Sequence, residues 1–483
     1  MLRLCFLCFP FWLSAQFALQ ANLLKLVNDP QLKGTKWSVC AIDLTTGDTL
    51  AAYDAAQQLP AASVVKLVST AAALNILGPE HRAQTQLVLK GQMQDHGVWD
   101  GSLHLIGGGD VSLGSRYFNE TGKELEFIDE WVAQLQSKGI TCINGAIIAD
   151  GNTFGTFSCP LGWQPLDMGN YYGCGAFGLN FYDNTLKLNF QTGANGAPIT
   201  LKSIFPTEND YQLTIQATSA SVSSDQTFVH GVPFNYQRTI KGKLPANRSA
   251  FEVKASMPDP EKLLAELVYQ RLQASGIRVD GGFQTVRTNP ALYNKAYPAS
   301  EIIHIQQGKT LQELVYWTNQ RSVNLFAEGN LLQIGARRYG AGTYENSLVV
   351  LDSLLLAWGV GPCRIVDGCG LSKENRMSAS QFVQVLKTQT NTTYFESYYK
   401  SIPVAGQTGT VKNLCKGQPG EGKVHAKSGS IEGIKAYAGY VDSKSGHQIA
   451  FTIIANDYPT SGSVMAKKME PFLNSLATYQ VQP

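Results

Sequence analysis

Ser63 and Lys66 stand three residues apart in a run, Ala62 to Gly78, that is otherwise almost wholly apolar. Apolar residues cover nearly every side as far as Leu77, and Gly78-Pro79 supplies a stop signal. The pattern predicts a mostly buried helix with Ser63 in its first turn and Lys66 on the same face. An ammonium in apolar surroundings is costly unless something offsets it. The chemistry this suggests is a lysine of lowered pKa that takes the serine proton and leaves Ser63 a nucleophile. The helix N-terminus favours negative charge developing beside it. The spacing alone is unspecific: Ser397-Tyr398-Tyr399-Lys400 repeats it in a segment that reads as solvated surface.

Two further pieces carry hydroxyls beside amines or amides. Ser322-Val323-Asn324 lies at a junction between helical stretches, where a serine is ordinarily an N-cap. Lys427-Ser428-Gly429-Ser430 is strand-like and precedes Ile431-Glu432-Gly433. A second copy, Lys444-Ser445-Gly446, reads as a hairpin turn. Gln407-Thr408-Gly409-Thr410 is a near match without the lysine.

Several elements must position these groups. Trp37 to Leu50 reads as a hairpin turning at Thr46-Gly47-Asp48, just ahead of the Ser63 helix. From Gln84 to about residue 300 the texture is short alternating strands, such as Leu103 to Ile106 and Thr185 to Phe190, with Gly/Asn turns. Two units there look alike. One is a helix near Leu125 to Gln136 followed by Gly139 to Gly145, the other a helix near Glu261 to Gln273 followed by Gly276 to Gly281. Helical texture returns at Leu311 to Asn319, Leu325 to Ile334 and Leu348 to Leu356. Ala436 to Val441 and Gln448 to Ala455 alternate as a hairpin, and a helix near Ser463 to Leu476 follows. The layout expected is one α/β domain built from the first and last segments, with the β-rich middle inserted into it.

The bulk composition narrows the class. At 483 residues the chain is too long for one core, and 44% hydrophobic with 16% charged residues describes a globular protein of two or three domains. A net charge of +2 without a basic run gives no reason to invoke nucleic acid. Arg3, the apolar run Leu4 to Leu13 and the small residues after it read as an export leader, with cleavage expected after Ala15, Ala18 or Ala21. No later stretch is long and apolar enough to span a bilayer. Seven cysteines follow the leader, so at least one is unpaired; Cys159–Cys174 and Cys363–Cys369 are near enough in sequence to bridge. No Cys/His spacing suggests a structural zinc.

Taken together and in this order, Ser63-x-x-Lys66, Ser322-x-Asn324 and Lys427-Ser428-Gly429 resemble the serine penicillin-recognising enzymes. The resemblance narrows to the D-alanyl-D-alanine carboxypeptidase/endopeptidase family of class C low-molecular-mass penicillin-binding proteins. It is carried further by Gly107-Gly108-Gly109-Asp110, Ile147 to Asp150 with Phe154, Leu325-Phe326-Ala327-Glu328, Asp367 to Ser372 with Asn375-Arg376, and Pro403 to Gly406. The chain departs from the family pattern in three places: Pro60-Ala61-Ala62-Ser63 is one residue longer before the serine, Ser428 stands where Thr is commoner, and Cys369 where Ser is usual.

The resemblance implies an α/β (α+β) multidomain fold, a penicillin-binding/β-lactamase-like transpeptidase domain whose antiparallel sheet is flanked by helices, with a large β-rich insertion. The expected parts are a leader over 1–21, a discontinuous peptidase domain over 22–84 and 301–483, and an insertion over 85–300. Within the insertion, 85–110 with 190–300 form one subdomain and 111–189 another. The resemblance implies acyl transfer on Ser63 with Lys66 as base, and Ser322 relaying a proton to the leaving amine. Asn324 would hold the substrate amide and help fix Lys66, Lys427 and Ser428 would receive the terminal carboxylate, and Gly429 and Ser430 would complete the substrate-binding strand. The backbone N–H groups of Ser63 and Ser430 would form the oxyanion hole. Asp167 and Tyr172, next to Trp163, fit positions that hold the amine end of a diaminopimelyl side chain; a loop carboxylate beside a structural tryptophan is the alternative. The implied partners are peptidoglycan peptides, with β-lactams as inhibitors, and the resemblance implies that no metal or organic cofactor is needed. The implied location is the periplasm, with association to the membrane left open. The other functions weighed are a peptidoglycan-binding scaffold of little activity and a β-lactamase or esterase with the same chemistry.

Overall fold

The computed structural model describes residues 13–156, 159–293 and 295–480; residues 1–12 of the expected leader lie outside them. The chain divides into two compact units.

The first unit comprises Met1–Ala71, Val315–Ser322 and Asp352–Pro483. Its centre is a five-stranded antiparallel sheet in the order Val424–Ile431, Ile434–Asp442, Gln448–Asn456, Lys36–Asp43, Thr49–Tyr53. Both faces are covered, so the strands read as near-continuous buried runs. Trp37, Val39, Phe451, Ile453 and Ala455 share a core with the helices Leu13–Val27 and Gly462–Ala477. On the opposite face, Ser38 Oγ accepts from the N–H of Ala379 at 2.9 Å and the Tyr440 hydroxyl donates to the carbonyl of Leu386 at 2.8 Å, which seats the helix Ala379–Gln389.

The two edges of this sheet are finished differently. At Thr49–Tyr53 the Gln20 amide both donates to Ala52 O and accepts from Ala52 N, each at 3.1 Å. At Val424–Ile431 the segment Pro403–Ala405 runs alongside, with Ala426 N donating to Pro403 O and Ala405 N to Val424 O, both at 2.8 Å.

The second unit comprises Ala72–Leu314 and Val323–Leu351. Its largest sheet is mixed: Gln84–Met93 pairs antiparallel with Val98–Gly107 and Ser300–Gln307, and short parallel strands extend it. The two look-alike units lie side by side in it. The helix Glu126–Ser137 leads to Cys142–Ile143, the helix Pro260–Ala274 leads to Arg278–Val279, and the two strands pair in parallel with Arg278 opposite Cys142. Trp131, Leu135, Leu264, Val268 and Leu272 bury the inward stripes of both helices in one core. Two smaller sheets, of four and three strands, complete the unit.

The α/β class with added β-rich sheets agrees with the reading of the sequence. Three details differ. Neither candidate disulfide is made, because Cys174 and Cys363 carry free thiols. The Ser397–Lys400 segment is not a solvated stretch throughout: it lies in the helix Phe395–Ser401, and Tyr398 is fully buried with its hydroxyl on the carbonyl of Leu67 at 2.9 Å. Its charged end alone is exposed, with Lys400 paired to Glu396. Third, the Ser63 segment does not open as an α-helix; a tight turn precedes it.

The helix Leu13–Val27 buries Leu19, Leu23 and Leu26. A chain beginning at Asn22 loses Leu19 and the Gln20 bonds, which costs about 2–3 kcal/mol from the leucine alone. Its melting temperature falls clearly below that of a chain beginning at Gln16, by scanning calorimetry.

Candidate active site

Ala62–Val65 form a 3-10 turn, and the α-helix begins only at Lys66 and runs to Leu77. In a 3-10 turn residues i and i+3 eclipse, so Lys66 lies directly over Ser63. Lys66 Nζ is 2.9 Å from Ser63 Oγ and donates to the carbonyl of Cys369 at 2.7 Å. Between Ala61 and Leu74 every residue is buried except Ser63. The amine therefore comes from inside the fold and the hydroxyl faces out. Ala62, the second of the two alanines before the serine, takes φ +48°, a left-handed conformation uncommon for a residue with a Cβ.

A loop holds this turn from behind. Buried Asp367 accepts from the N–H of Gly370 at 2.6 Å, from that of Ser372 at 2.7 Å and from Asn375 Nδ2 at 2.9 Å. The loop so fixed presents Gly368 O to the Ser69 hydroxyl at 2.7 Å and Cys369 O to Lys66. Gly370 follows at φ +81°, where a Cβ would stand 2.0 Å from Ala62 O. Lys66 bonds the main-chain carbonyl of residue 369, a contact that cysteine and serine supply alike.

Lys427 lies on Val424–Ile431 and is fully buried. Its Nζ donates to Ser322 Oγ at 3.0 Å and to the carbonyl of Ser428 at 2.8 Å. Its pKa is pushed well below the ordinary lysine value, by burial first, then by the charges of Lys66 and Lys435. Gly429 runs against the serine segment: a Cβ there would stand 2.2 Å from Ala61 O. Ser428 and Ser430 keep exposure at the open side of the strand.

Ser322 does not cap the helix that follows it. The helix Asn324–Tyr339 is flanked by Val323, without a side-chain cap. Ser322 instead takes φ +58° and offers its Oγ to Lys427. The preceding turn is anchored by Asn319 Nδ2 on Ser401 Oγ at 2.8 Å and Gln320 Nε2 on Ser401 O at 3.1 Å. The near-match Gln407–Thr410 belongs here as well. Ser428 Oγ donates to Thr410 Oγ1 at 2.8 Å, and Gly409 lies against Gln320 O, 2.6 Å from a Cβ placed there. Neither Thr410 nor the Asp367 loop was assigned a site role from the sequence. The signals available were that Gln407–Thr410 nearly matches the Lys-Ser-Gly motif and that Asp367 to Ser372 is among the stretches that carry the resemblance.

In the second unit, Asn324, Asp167 and Tyr172 come together. Asn324 Nδ2 donates to Tyr172 O at 2.7 Å, and the Tyr172 hydroxyl lies 3.4 Å from Asp167 Oδ1. Burial, then the Asp167 charge, raises the Tyr172 phenol pKa, so it stays protonated and donates. Asn170 ties the same segment to its neighbour strand, accepting from Val229 N at 3.0 Å. Trp163 is buried.

A nucleophile-sized hydroxyl backed by one buried amine, with a second buried amine bonded to a second hydroxyl, is equipped for acyl transfer. The sequence pattern of the D-Ala-D-Ala carboxypeptidase 3 (S13) family matches residues 19–479. The chain belongs to that family. Its enzyme class is therefore serine-type D-Ala-D-Ala carboxypeptidase. It is 28% identical over 462 residues to a D-alanyl-D-alanine carboxypeptidase of Actinomadura sp. (strain R39), covering 91% of this chain and 81% of that one. To the D-alanyl-D-alanine carboxypeptidase DacB of Haemophilus influenzae it is 22% identical over 477 residues, covering 96% and 95%. The crystal structure of penicillin binding protein 4 (dacB) from Haemophilus influenzae superposes with a TM-score of 0.77 at 20% identity, over 94% of this chain and 98% of that one. The same protein complexed with a novel β-lactam gives 0.74 at 21%, over 95% and 99%. These superpositions establish the fold.

The close backbone approach at Gly429 generates a prediction. Gly429→Ala pushes the strand off Ala61 and lowers kcat/KM for D-Ala release by about a hundredfold, the usual penalty for misplacing reacting groups by ~1 Å. Gly446→Ala, in the second Lys-Ser-Gly copy, meets nothing within 4 Å but stands at φ +79°, so it strains its own hairpin turn and leaves the rate nearly unchanged. Steady-state kinetics on a D-Ala-D-Ala peptide compare the two.

Proposed function

We propose that the chain hydrolyses the D-Ala-D-Ala ends of peptidoglycan stem peptides, and the D-Ala cross-links between them, through an acyl-enzyme on Ser63. The observation that carries this reading is the pairing of Ser63 Oγ with buried Lys66, in one unit with the Lys427–Ser322 pair. The terminal carboxylate of the substrate meets Lys427 and Ser428. In the empty site two buried ammonium groups repel each other, and the pair is relieved when one gives up its proton. An arriving carboxylate favours the charge on Lys427, so the proton is lost from Lys66, which becomes the base.

Ser63 Oγ then attacks the carbonyl of the penultimate D-Ala and its proton passes to Lys66. The oxyanion lies against the N–H groups of Ser63 and Ser430, each such donor contributing about 3–4 kcal/mol. Ser322, bonded to Lys427, passes a proton to the leaving amine. Water enters and releases the acyl group. A β-lactam acylates Ser63 in the same way and leaves slowly. Asn324 orients the substrate amide, and Asp167 with Tyr172 receives an ammonium on the stem-peptide side chain. A periplasmic location is supported by the leader-like composition of residues 3–21.

Labelled penicillin tags the wild-type chain and fails to tag Ser63→Ala, read by mass spectrometry of the intact protein; a labelled alanine variant places the nucleophile elsewhere. Asp167→Ala lowers kcat/KM about tenfold more for diaminopimelate peptides than for simple D-Ala-D-Ala analogues, as loss of a charged hydrogen bond does. Equal losses on both substrates count against the pocket. The third test is the alkaline side of the pH profile. Lys427 loses its charge as pH rises through a pKa lowered below the usual lysine range, so kcat/KM falls there. Lys435→Met removes one cause of that lowering and moves the alkaline limb to higher pH. An unmoved limb assigns it to another group.

A further inference from the structure

We propose that a cavity of about 390 Å³ in the second unit binds a small alkylammonium ion, with the carboxylate of Asp110 at its base. The cavity is formed where the Gly107-Gly108-Gly109-Asp110 stretch meets the start of the helix Glu126–Ser137 and the segment after Ser300–Gln307. Nothing in the acyl-transfer chemistry uses it. Asp110 is 2% exposed. Its Oδ1 accepts from Ser112 N at 2.7 Å and Ser112 Oγ at 2.6 Å, while Oδ2 is buried and has no hydrogen-bond partner among the described residues. A buried carboxylate oxygen left unpaired is expensive, and a donor in the adjoining cavity would satisfy it. Burial pushes the Asp110 pKa up to about 6, consistent with a carboxylate short of donors.

The charges around the cavity have the matching sign. Four carboxylates line it, from Asp110, Glu120, Glu126 and Glu130, against the two amines of Lys123 and Lys309. Lys123 is already paired with Glu120 at 2.8 Å, and Lys309 Nζ lies over the Phe118 ring, 5.5 Å from its centroid. Glu126 and Glu130 are one helical turn apart with the same charge, an arrangement that repels unless a cation intervenes. Phe118 and Phe127 give the cavity an apolar wall for the alkyl chain of such an ion, the Phe118 face itself being taken by Lys309. A metal ion suits it less. Among the described residues, these carboxylates do not bring three ligand atoms within 4.8 Å of one another.

The wall of this cavity is continuous with the segment that holds Asn324. Phe118 stacks on Phe326, with centroids 5.9 Å apart, and Tyr117 meets the same ring edge-on at 5.5 Å. A ligand against Phe118 therefore bears on the first turn of Asn324–Tyr339.

The test is isothermal titration of the full chain with 1,5-diaminopentane, with 1,5-pentanediol as the uncharged control. A lysine-containing tripeptide in a second arm distinguishes a free amine from one carried on a peptide. We expect saturable binding of the diamine with a Kd below about 1 mM and none of the diol. Asp110→Asn weakens it by about tenfold, and Glu126→Gln and Glu130→Gln each by about threefold, in line with loss of a charged partner. Lys309→Met tightens it. The two glutamate variants lie on the surface and keep the fold, so they decide the outcome even if Asp110→Asn does not fold. Absence of saturable diamine binding, equal binding of the diol, or binding unchanged in Glu126→Gln and Glu130→Gln overturns the proposal. Calcium binding in place of the diamine also overturns it.

Discussion

Two lysine amines, Lys66 and Lys427, are held in the interior of one unit, near enough for a charge on one to disfavour a charge on the other. Taking an ion out of water costs several kcal/mol even after the protein relaxes. Lys427 meets that cost with neutral oxygens, the Ser322 hydroxyl and the Ser428 carbonyl. Hydroxyl and carbonyl acceptors hold an ammonium in place without cancelling its charge. The hydroxyls are thus already aligned to the amines, and under the function proposed above the remaining positive potential is what an incoming carboxylate satisfies.

That arrangement depends on backbone segments lying closer than side chains would allow. Gly429 lets a strand touch Ala61, Gly370 lets a loop touch Ala62, and Gly409 lets another touch Gln320. Each contact fixes one of the motif-bearing segments against another. The residues at φ +48° and +58°, Ala62 and Ser322, store strain where the motifs turn. The strain is supported by the buried bonds around it: Asp367 to three donors, Asn319 and Gln320 to Ser401, Tyr398 to Leu67.

Much of this was legible in the chain. The long periodic helices, the terminal hairpin and the paired helix–strand units follow from apolar spacing and glycine stops, which are local. The three motifs were legible as a set because their order and chemistry reinforce one another, where each alone has a commoner explanation. What was not legible is non-local. A 3-10 turn in place of a first α-turn at Ser63 depends on the left-handed Ala62 and the Asp367 loop pressed against it. Thr410 bears on Ser428 only through tertiary contact. Ser397–Lys400 looked solvated because its polar residues outnumber its apolar ones, yet Tyr398 anchors the helix from its inner face. Cysteine spacing permitted two bridges that the fold does not make.

The five-stranded sheet treats its two borders unequally. Gln20 satisfies both backbone groups of Ala52 on one side, and Pro403–Ala405 runs beside the other only as far as Ala426. From Lys427 to Ile431 no described strand pairs with the outer border. Unpaired strand borders ordinarily invite other chains to stack on them, a route to aggregation. Here the uncovered stretch is too short to template a long polypeptide, and its N–H and C=O groups flank Lys427, Ser428 and Ser430. A border of that length has room for a brief extended peptide as an added strand; under the function proposed above, the same exposure that would threaten solubility elsewhere is the ruler for substrate register.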